Sequence, residues 1–155
     1  MRGKNIKLNM KTAIFPGSFN PFTKGHYDIV SRALTIFDKV VIGIGYNPDK
    51  PKPDDLQQRI EQITAIYKDN DCVEVEAYDD LTIDFAKRHD ATAIVKGVRS
   101  IQDFEYERTQ AEYNRMMSDG IETVILFADP KYSSLSSSIV RTLKKFGKDV
   151  TELLP

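Results

Sequence analysis

Thr12-Ala-Ile-Phe-Pro-Gly-Ser-Phe-Asn-Pro-Phe-Thr-Lys-Gly-His26 runs from an apolar stretch, through a turn rich in glycine and proline, into the start of a helix. Thr12–Phe15 predicts a strand that Pro16 and Gly17 stop. Gly25–Phe37 then predicts a helix, with Ile29, Val30, Ala33, Leu34 and Phe37 on one face. Lys39–Tyr46 (KVVIGIGY) is nearly all apolar, as a strand buried on both faces is. Two strands joined by a crossing helix are the unit of a parallel sheet.

The alternation continues outward from this unit. Pro48, Pro51 and Pro53 make a loop, and a helix follows from about Asp55 with Leu56, Ile60, Ile63 and Tyr67 at helical spacing. Val73–Tyr78 predicts the third strand, Thr82–Arg88 a short helix, and Ala93–Val98 the fourth strand. Gln102–Met117 predicts a long polar helix, Thr123–Ala128 the fifth strand, and Ser136–Phe146 a closing helix stopped by Gly147. The expected fold is α/β: one doubly wound, five-stranded parallel sheet covered on both faces. Ligands in such folds bind at the carboxyl ends of the strands. The domain is expected to span residues 10–155. Residues 1–9 (MRGKNIKLN) are basic without an apolar core behind them, so they do not predict a secretory signal. They are an N-terminal extension, a cloning remnant or the product of an upstream start, with Met10 a natural second start.

A chain of 155 residues can bury a core without staples. Its 22 basic and 23 acidic residues give a net charge of −1, against the basic surplus that non-specific nucleic-acid or anionic-membrane binding needs. A local basic pocket for a phosphorylated small molecule remains compatible with that balance. Cys72 is the sole cysteine, which excludes an intrachain disulfide, and it is expected as a small buried hydrophobe. No apolar run has the length of a membrane span, and the cytoplasm is the expected compartment.

Three segments at the sheet's ligand edge carry chemistry. In the first, Gly17 lets the backbone approach a ligand, and Ser18 offers a hydroxyl beside a free amide. Gly25 and His26 fall at a helix start, where unpaired N–H groups and the helix dipole favour phosphate. An imidazole there can donate to an oxygen whose charge grows during reaction. The plainer alternative is a turn with a histidine near a cap. In the second segment, Tyr132–Arg141, Ser136, Ser137 and Ser138 supply capping hydroxyls and free amides, and Arg141 lies one turn on. Its plainer alternative is ordinary capping beside a serine loop. In the third, Lys96 and Arg99 place two cations at the fourth strand's end, with Gly97 between them. A solvated basic turn is the alternative there, and Glu105 and Glu107 read most simply as helix-surface charges. Lys50, in the proline-rich loop, lies at the same edge.

The segment G-S-F-N-P-F-T-K-G-H resembles the T/H-x-G-H signature of the nucleotidyltransferase superfamily, whose Rossmann-like fold is shared with class I aminoacyl-tRNA synthetases. Ser-Ser-Ser-Ile-Val-Arg resembles the superfamily's second signature, serine-rich and ending in a basic residue. Three further features resemble the bacterial phosphopantetheine adenylyltransferase family. They are Thr23 where many relatives carry a histidine, the run G-V-R-S-I-Q-D-F-E-Y-E with Asn114-Arg115 beyond it, and D-L-T-I-D-F-A from Asp80. The resemblance covers essentially all of Met10–Pro155.

The resemblance implies a homohexameric enzyme that transfers the adenylyl group of ATP to 4′-phosphopantetheine and feels feedback from coenzyme A. It implies that Ser18 binds both substrates, that Phe19 offers ATP its backbone, and that His26 stabilises the transition state. Lys50 and Lys96 would hold the phosphate of phosphopantetheine, with Thr82 along the pantetheine arm. Gly97, Val98, Arg99 and Glu107 would contact ATP, as would Tyr132, Ser133, Ser134, Leu135, Ser136, Ser137 and Ser138. The chain departs from the commoner pattern at Ser18 for threonine, Lys96 for arginine and Tyr132 for tryptophan. Lysine keeps the charge at 96 but loses the bidentate fork. Magnesium is expected to arrive with ATP, and the sequence displays no dedicated metal cluster. An already anionic nucleophile needs no general base, so direct in-line attack on the α-phosphorus is expected. The rival readings are a different acceptor, such as nicotinamide mononucleotide, and a non-catalytic ATP sensor on the same fold.

Overall fold

Strands β1 (Thr12–Gly17), β2 (Lys39–Gly45), β3 (Val73–Tyr78), β4 (Ala93–Val98) and β5 (Glu122–Phe127) form one sheet in the order β3-β2-β1-β4-β5. Every pairing is parallel. These are the features of a computed structural model in which residues 10–155 are described; the extension read at residues 1–9 lies outside them. The crossovers carry α1 (Lys24–Ala33), α2 (Leu56–Ile66), α3 (Thr82–Arg88) and α4 (Ile101–Met116), and α5 (Ser137–Lys145) follows β5.

Side chains alternate across a strand, so each central strand feeds two cores. Ala13, Phe15, Val40, Ile42 and Val95 face one way, against Ile29, Val30 and Ala33 of α1 and Leu56 and Ile63 of α2. Ile14, Val41 and Ile94 face the other way, against Phe85 and Ala86 of α3. β3 lies at the edge, where Glu74 and Glu76 are exposed and Val73 and Val75 half-buried. Cys72 precedes β3 with the same parity as Glu74 and Glu76, so it is exposed and not the buried hydrophobe its sequence context predicts.

Two boundaries differ from the sequence reading by more than one residue. The first helix ends at Ala33, although Phe37 is still buried, with its N–H on the Ala33 carbonyl at 2.9 Å. Thr35 and Ile36 are β-branched and poor at extending a helix, and the Thr35 hydroxyl ties back to the Arg32 carbonyl at 2.7 Å. Strand β1 runs past Phe15 to Gly17, because Pro16 and Gly17 still pair with Gly43 and Ile44 of β2. On its other side β1 pairs with β4 only at Ala13 and Ile14. The two strands therefore part at their carboxyl ends, which is the switch point where a crevice opens in this architecture.

Candidate active site

A cavity of about 500 Å³ occupies that crevice. One wall is the end of β1 and the first turn of α1, contributing Gly17, Ser18, Phe19, Thr23 and His26. Lys96, Gly97 and Arg99 form the floor, and Gln102, Asp103, Tyr106 and Glu107 of α4 the second wall. Tyr132, Leu135, Ser136, Ser137, Ser138 and Arg141 close the third side.

Thr23 caps α1 and is buried. The His26 N–H lies 3.4 Å from the Thr23 hydroxyl oxygen, and the Thr23 N–H donates to His26 Nδ1 at 2.9 Å. This is a capping box in which histidine takes the place usually held by glutamate or glutamine. Because Nδ1 accepts, the neutral imidazole carries its proton on Nε2. Burial, and then the positive charge of Arg99, push the His26 pKa down from 6.5 to about 4. The ring is also packed by Phe19, edge-on at 5.0 Å between centroids, and Phe22 at 5.3 Å. His26 is thus a fixed, neutral N–H donor at a helix N-terminus.

Gly97 is set by packing. A Cβ there would stand 2.9 Å from Ile29 Cγ1, so the missing side chain lets α1 settle close on β4. Beyond it, Arg99 donates from Nε to Asp103 at 3.0 Å and from Nη1 to the Leu135 carbonyl at 3.0 Å. It joins the start of α4 to the serine loop. Burial raises the Asp103 carboxyl pKa, but hydrogen bonds from Arg99 and its charge outweigh that and hold it below the usual range. Lys96 Nζ sits 3.3 Å from Glu107 Oε2, both half-buried. The Glu107 carboxylate therefore faces the cavity rather than open solvent, against the plain helix-surface reading.

The three serines divide the work. Ser136 caps α5, accepting from the Ile139 N–H at 3.1 Å. Ser137 donates to the Pro21 carbonyl at 2.8 Å. Ser138 accepts from Arg141 Nη2 at 3.2 Å, while Arg141 Nη1 donates to the Asn20 carbonyl at 2.6 Å. The last helix is in this way tied to the loop after β1.

The cavity gathers Ser18, Phe19, His26, Lys96, Gly97, Arg99, Glu107, Tyr132, Leu135, Ser136, Ser137 and Ser138 from the residues singled out in the sequence. It does not gather the others. Val98 is buried in β4, and Ser133 turns its hydroxyl to the Pro130 carbonyl at 2.9 Å. Ser134 is exposed outside the lining. Lys50 is exposed in the loop after β2, and Thr82 begins α3 with its hydroxyl 3.1 Å from that of Tyr78. Both lie at the carboxyl edge of the sheet but beyond the cavity wall.

Gln102, Asp103 and Tyr106 of the lining were given no role in the sequence reading, and one residue behind the cavity escaped it as well. Arg59 of α2 is buried, donates from Nη1 to the Ser18 carbonyl at 2.9 Å, and grips both Asp55 carboxylate oxygens at 2.7 Å. Hydrogen bonds from Arg59 hold the Asp55 pKa below its ordinary value. The signal was available: Asp55, Arg59 and Ile63 recur every fourth residue, which puts a charged pair on the apolar face of the helix.

The arrangement offers a neutral N–H donor, glycine-flanked amides and the cations Lys96, Arg99 and Arg141 around one crevice, a set suited to a polyanion. Among the described residues no three of His, Cys, Asp and Glu gather into a group that could hold a metal ion.

A family model described as cytidylyltransferase-like matches residues 14–143. The chain is 53% identical to a phosphopantetheine adenylyltransferase of Phocaeicola vulgatus, over 94% of this chain and 96% of that one. It is 50% identical to the protein of the same name from Bacteroides fragilis, over 94% of this chain and 97% of that one. Among solved structures, a bifunctional NMN adenylyltransferase/ADP ribose pyrophosphatase from Francisella tularensis, complexed with AMP and a manganese ion, superposes with a TM-score of 0.66. The match covers 94% of this chain and 44% of that one at 19% identity, a likeness of fold.

Proposed function

This chain belongs to the phosphopantetheine adenylyltransferase family, within the cytidylyltransferase-like nucleotidyltransferases, and from that membership we propose that it joins the AMP part of ATP to 4′-phosphopantetheine, yielding dephospho-coenzyme A and pyrophosphate. The observation that carries this reading is the crevice between β1 and β4, with His26 presenting Nε2–H beside Lys96, Arg99 and Arg141.

In this reading a phosphate oxygen of phosphopantetheine attacks the α-phosphorus of ATP directly and in line. Pyrophosphate departs from the opposite side, and no covalent enzyme intermediate forms. The nucleophile is already anionic, so the protein positions two polyanions and disperses charge. His26 donates from Nε2–H to an α-phosphate oxygen as its charge grows, and keeps its proton throughout. The Phe19 amide and the Ser18 hydroxyl meet phosphate oxygens, Ser18 touching both substrates. Arg99, Glu107 and the loop from Tyr132 to Ser138 surround ATP. Gly97 and the backbone of Val98 border it.

Lys96 holds the acceptor phosphate, released from Glu107 when the phosphate competes for it. Lys50, exposed in the β2 loop, holds the acceptor phosphate with Lys96, and Thr82 lies along the pantetheine arm. Magnesium enters with ATP as part of the substrate. A hexamer is proposed from the family resemblance; α4 has no buried residue, and its exposed Tyr113 and Met116 suit an association surface. Coenzyme A would compete at the acceptor's subsite. The cytoplasm is the proposed compartment; among the described residues no helix is long and apolar enough to cross a membrane.

The test supplies ATP and Mg²⁺ with either 4′-phosphopantetheine or nicotinamide mononucleotide, and follows pyrophosphate and the adenylylated product by mass. Dephospho-coenzyme A from the first and nothing from the second is the expected result. Turnover with the nucleotide alone would overturn the acceptor, and silence with both, in protein that binds ATP, would favour a sensor.

A further inference from the structure

We infer that Arg59 is a positioning residue for adenylyl transfer: through the Ser18 carbonyl it aims the Phe19 amide N–H into the crevice. The inference rests on the reading of the crevice as the ATP site.

The geometry starts with the peptide between Ser18 and Phe19. The cis peptide among the described residues is Asn20–Pro21, so the Ser18–Phe19 unit is trans. In a trans peptide the C=O and N–H point in opposite directions. Arg59 Nη1 holds the Ser18 carbonyl at 2.9 Å. Arg59 lines a second cavity, of about 560 Å³, between α2 and α5, and not the crevice; Ser18 and Phe19 line the crevice and not that second cavity. The carbonyl is therefore drawn to the rear, and the N–H of the same unit turns towards the crevice. Among the described residues the Phe19 N–H donates no hydrogen bond within the protein.

This peptide needs holding. Phe19 has φ of 45°, in the left-handed region that a bulky residue enters only when its surroundings impose it. Its ring is buried between Phe15 at 5.1 Å and Phe22 at 5.4 Å, which fixes the side chain but not the plane of the preceding peptide. Arg59 fixes that plane, and Asp55 fixes Arg59 through two bonds at 2.7 Å. Two further carbonyls of the loop accept from side chains of α5, Asn20 from Arg141 and Pro21 from Ser137. Of these three units in the loop after β1, the Ser18 one alone pairs a tethered carbonyl with an N–H of a crevice-lining residue, since Pro21 has no N–H and Phe22 lies outside the lining.

A guanidinium is required for this, because one fork must reach both the Asp55 carboxylate and the Ser18 carbonyl. Lysine supplies charge but not the fork. The experiment uses the full chain with Arg59→Lys, Arg59→Met and Asp55→Asn. It compares KM for ATP, KM for phosphopantetheine, kcat and the ATP-induced shift of the Phe19 amide resonance. Arg59→Lys is expected to raise KM for ATP about tenfold, the worth of one misplaced charge-assisted hydrogen bond. KM for phosphopantetheine should move less than about threefold, as the bond lost belongs to ATP. The Phe19 amide should shift with ATP in the wild type and much less in the variant.

Asp55→Asn, at a half-exposed carboxyl, is expected to act in the same direction more weakly, and it serves if Arg59→Met does not fold. Unchanged KM for ATP with an undiminished Phe19 shift would overturn the inference. So would an equal rise in both KM values alongside a lowered Tm, which is what a merely structural anchor would give. Resonance shifts need no turnover, so a wild type that bound ATP but made no product would count against the reaction, not against the role of Arg59.

Discussion

The imidazole of His26 is held by the Thr23 N–H, which donates to Nδ1 at 2.9 Å, and this bond decides which nitrogen is left to donate. Removing that donor in His26→Ala is expected to lower kcat about a hundredfold or more, the typical loss for an oxyanion-type donor, with KM nearly unchanged. Steady-state kinetics check it, and a loss under about threefold would contradict the role. The pH dependence has a definite sign. With a folded pKa of about 4, His26 stays neutral through the range where an ordinary histidine titrates, so kcat should have no limb near pH 6.5 arising from it.

For stability, the unfolded chain takes up the His26 proton near pH 6.5 and the folded chain only near 4. The folded state thus loses stability as pH falls through that window, by at most about 3.5 kcal/mol. Urea titrations should find the gap between wild type and His26→Gln changing across this window in that direction. The place of His26 was legible in the sequence, because a glycine–histidine pair opening a helix after a strand is a local pattern. Its depressed pKa was not, because that depends on burial and on Arg99, which only the fold brings to it; its tautomer rests on the Thr23 N–H, whose bond to Nδ1 is a matter of cap geometry.

At the scale of elements, α1 can carry His26 to the crevice only because it lies close on β4, and Gly97 permits that approach. Gly97→Ala forces a methyl to 2.9 Å from Ile29 Cγ1. Overpacking of this kind should lower the unfolding free energy by about 1–3 kcal/mol and displace the helix that bears His26, lowering kcat with it. Urea unfolding and turnover on the same preparation check both effects. The inner strands were legible because they are apolar on both faces, and β3 and β4 fall where the sequence places them.

The rest was harder for physical reasons. The last turn of α1 was overextended, because Leu34 and Phe37 keep helical spacing while the chain has already turned. Cys72 was misplaced because one residue of parity separates the core side of an edge strand from its solvent side. Arg59 was passed over because an arginine on an apolar helix face looks like surface until its partners, Asp55 and the Ser18 carbonyl, are seen.

For the whole molecule, the exposed apolar side chains of α4 and β5 are the features a lone chain leaves unexplained: Tyr113, Met116, Met117 and Phe127 are all more than half exposed. Exposed apolar side chains of this size suit a surface that associates with further copies of the chain. Light scattering is expected to give the mass of six chains, and Tyr113→Glu with Met116→Glu a smaller particle; a monomeric wild type would reject the hexamer.

In the proposed reaction, adenylyl transfer is a single displacement between two anions held in one crevice. ATP carrying sulfur in place of one α-phosphate oxygen, as a single diastereomer, tests it directly with phosphopantetheine as acceptor. Inversion at the phosphorus of the dephospho-coenzyme A analogue is the result expected. Retention, or an adenylylated protein trapped on the way, would mean two displacements and would contradict it.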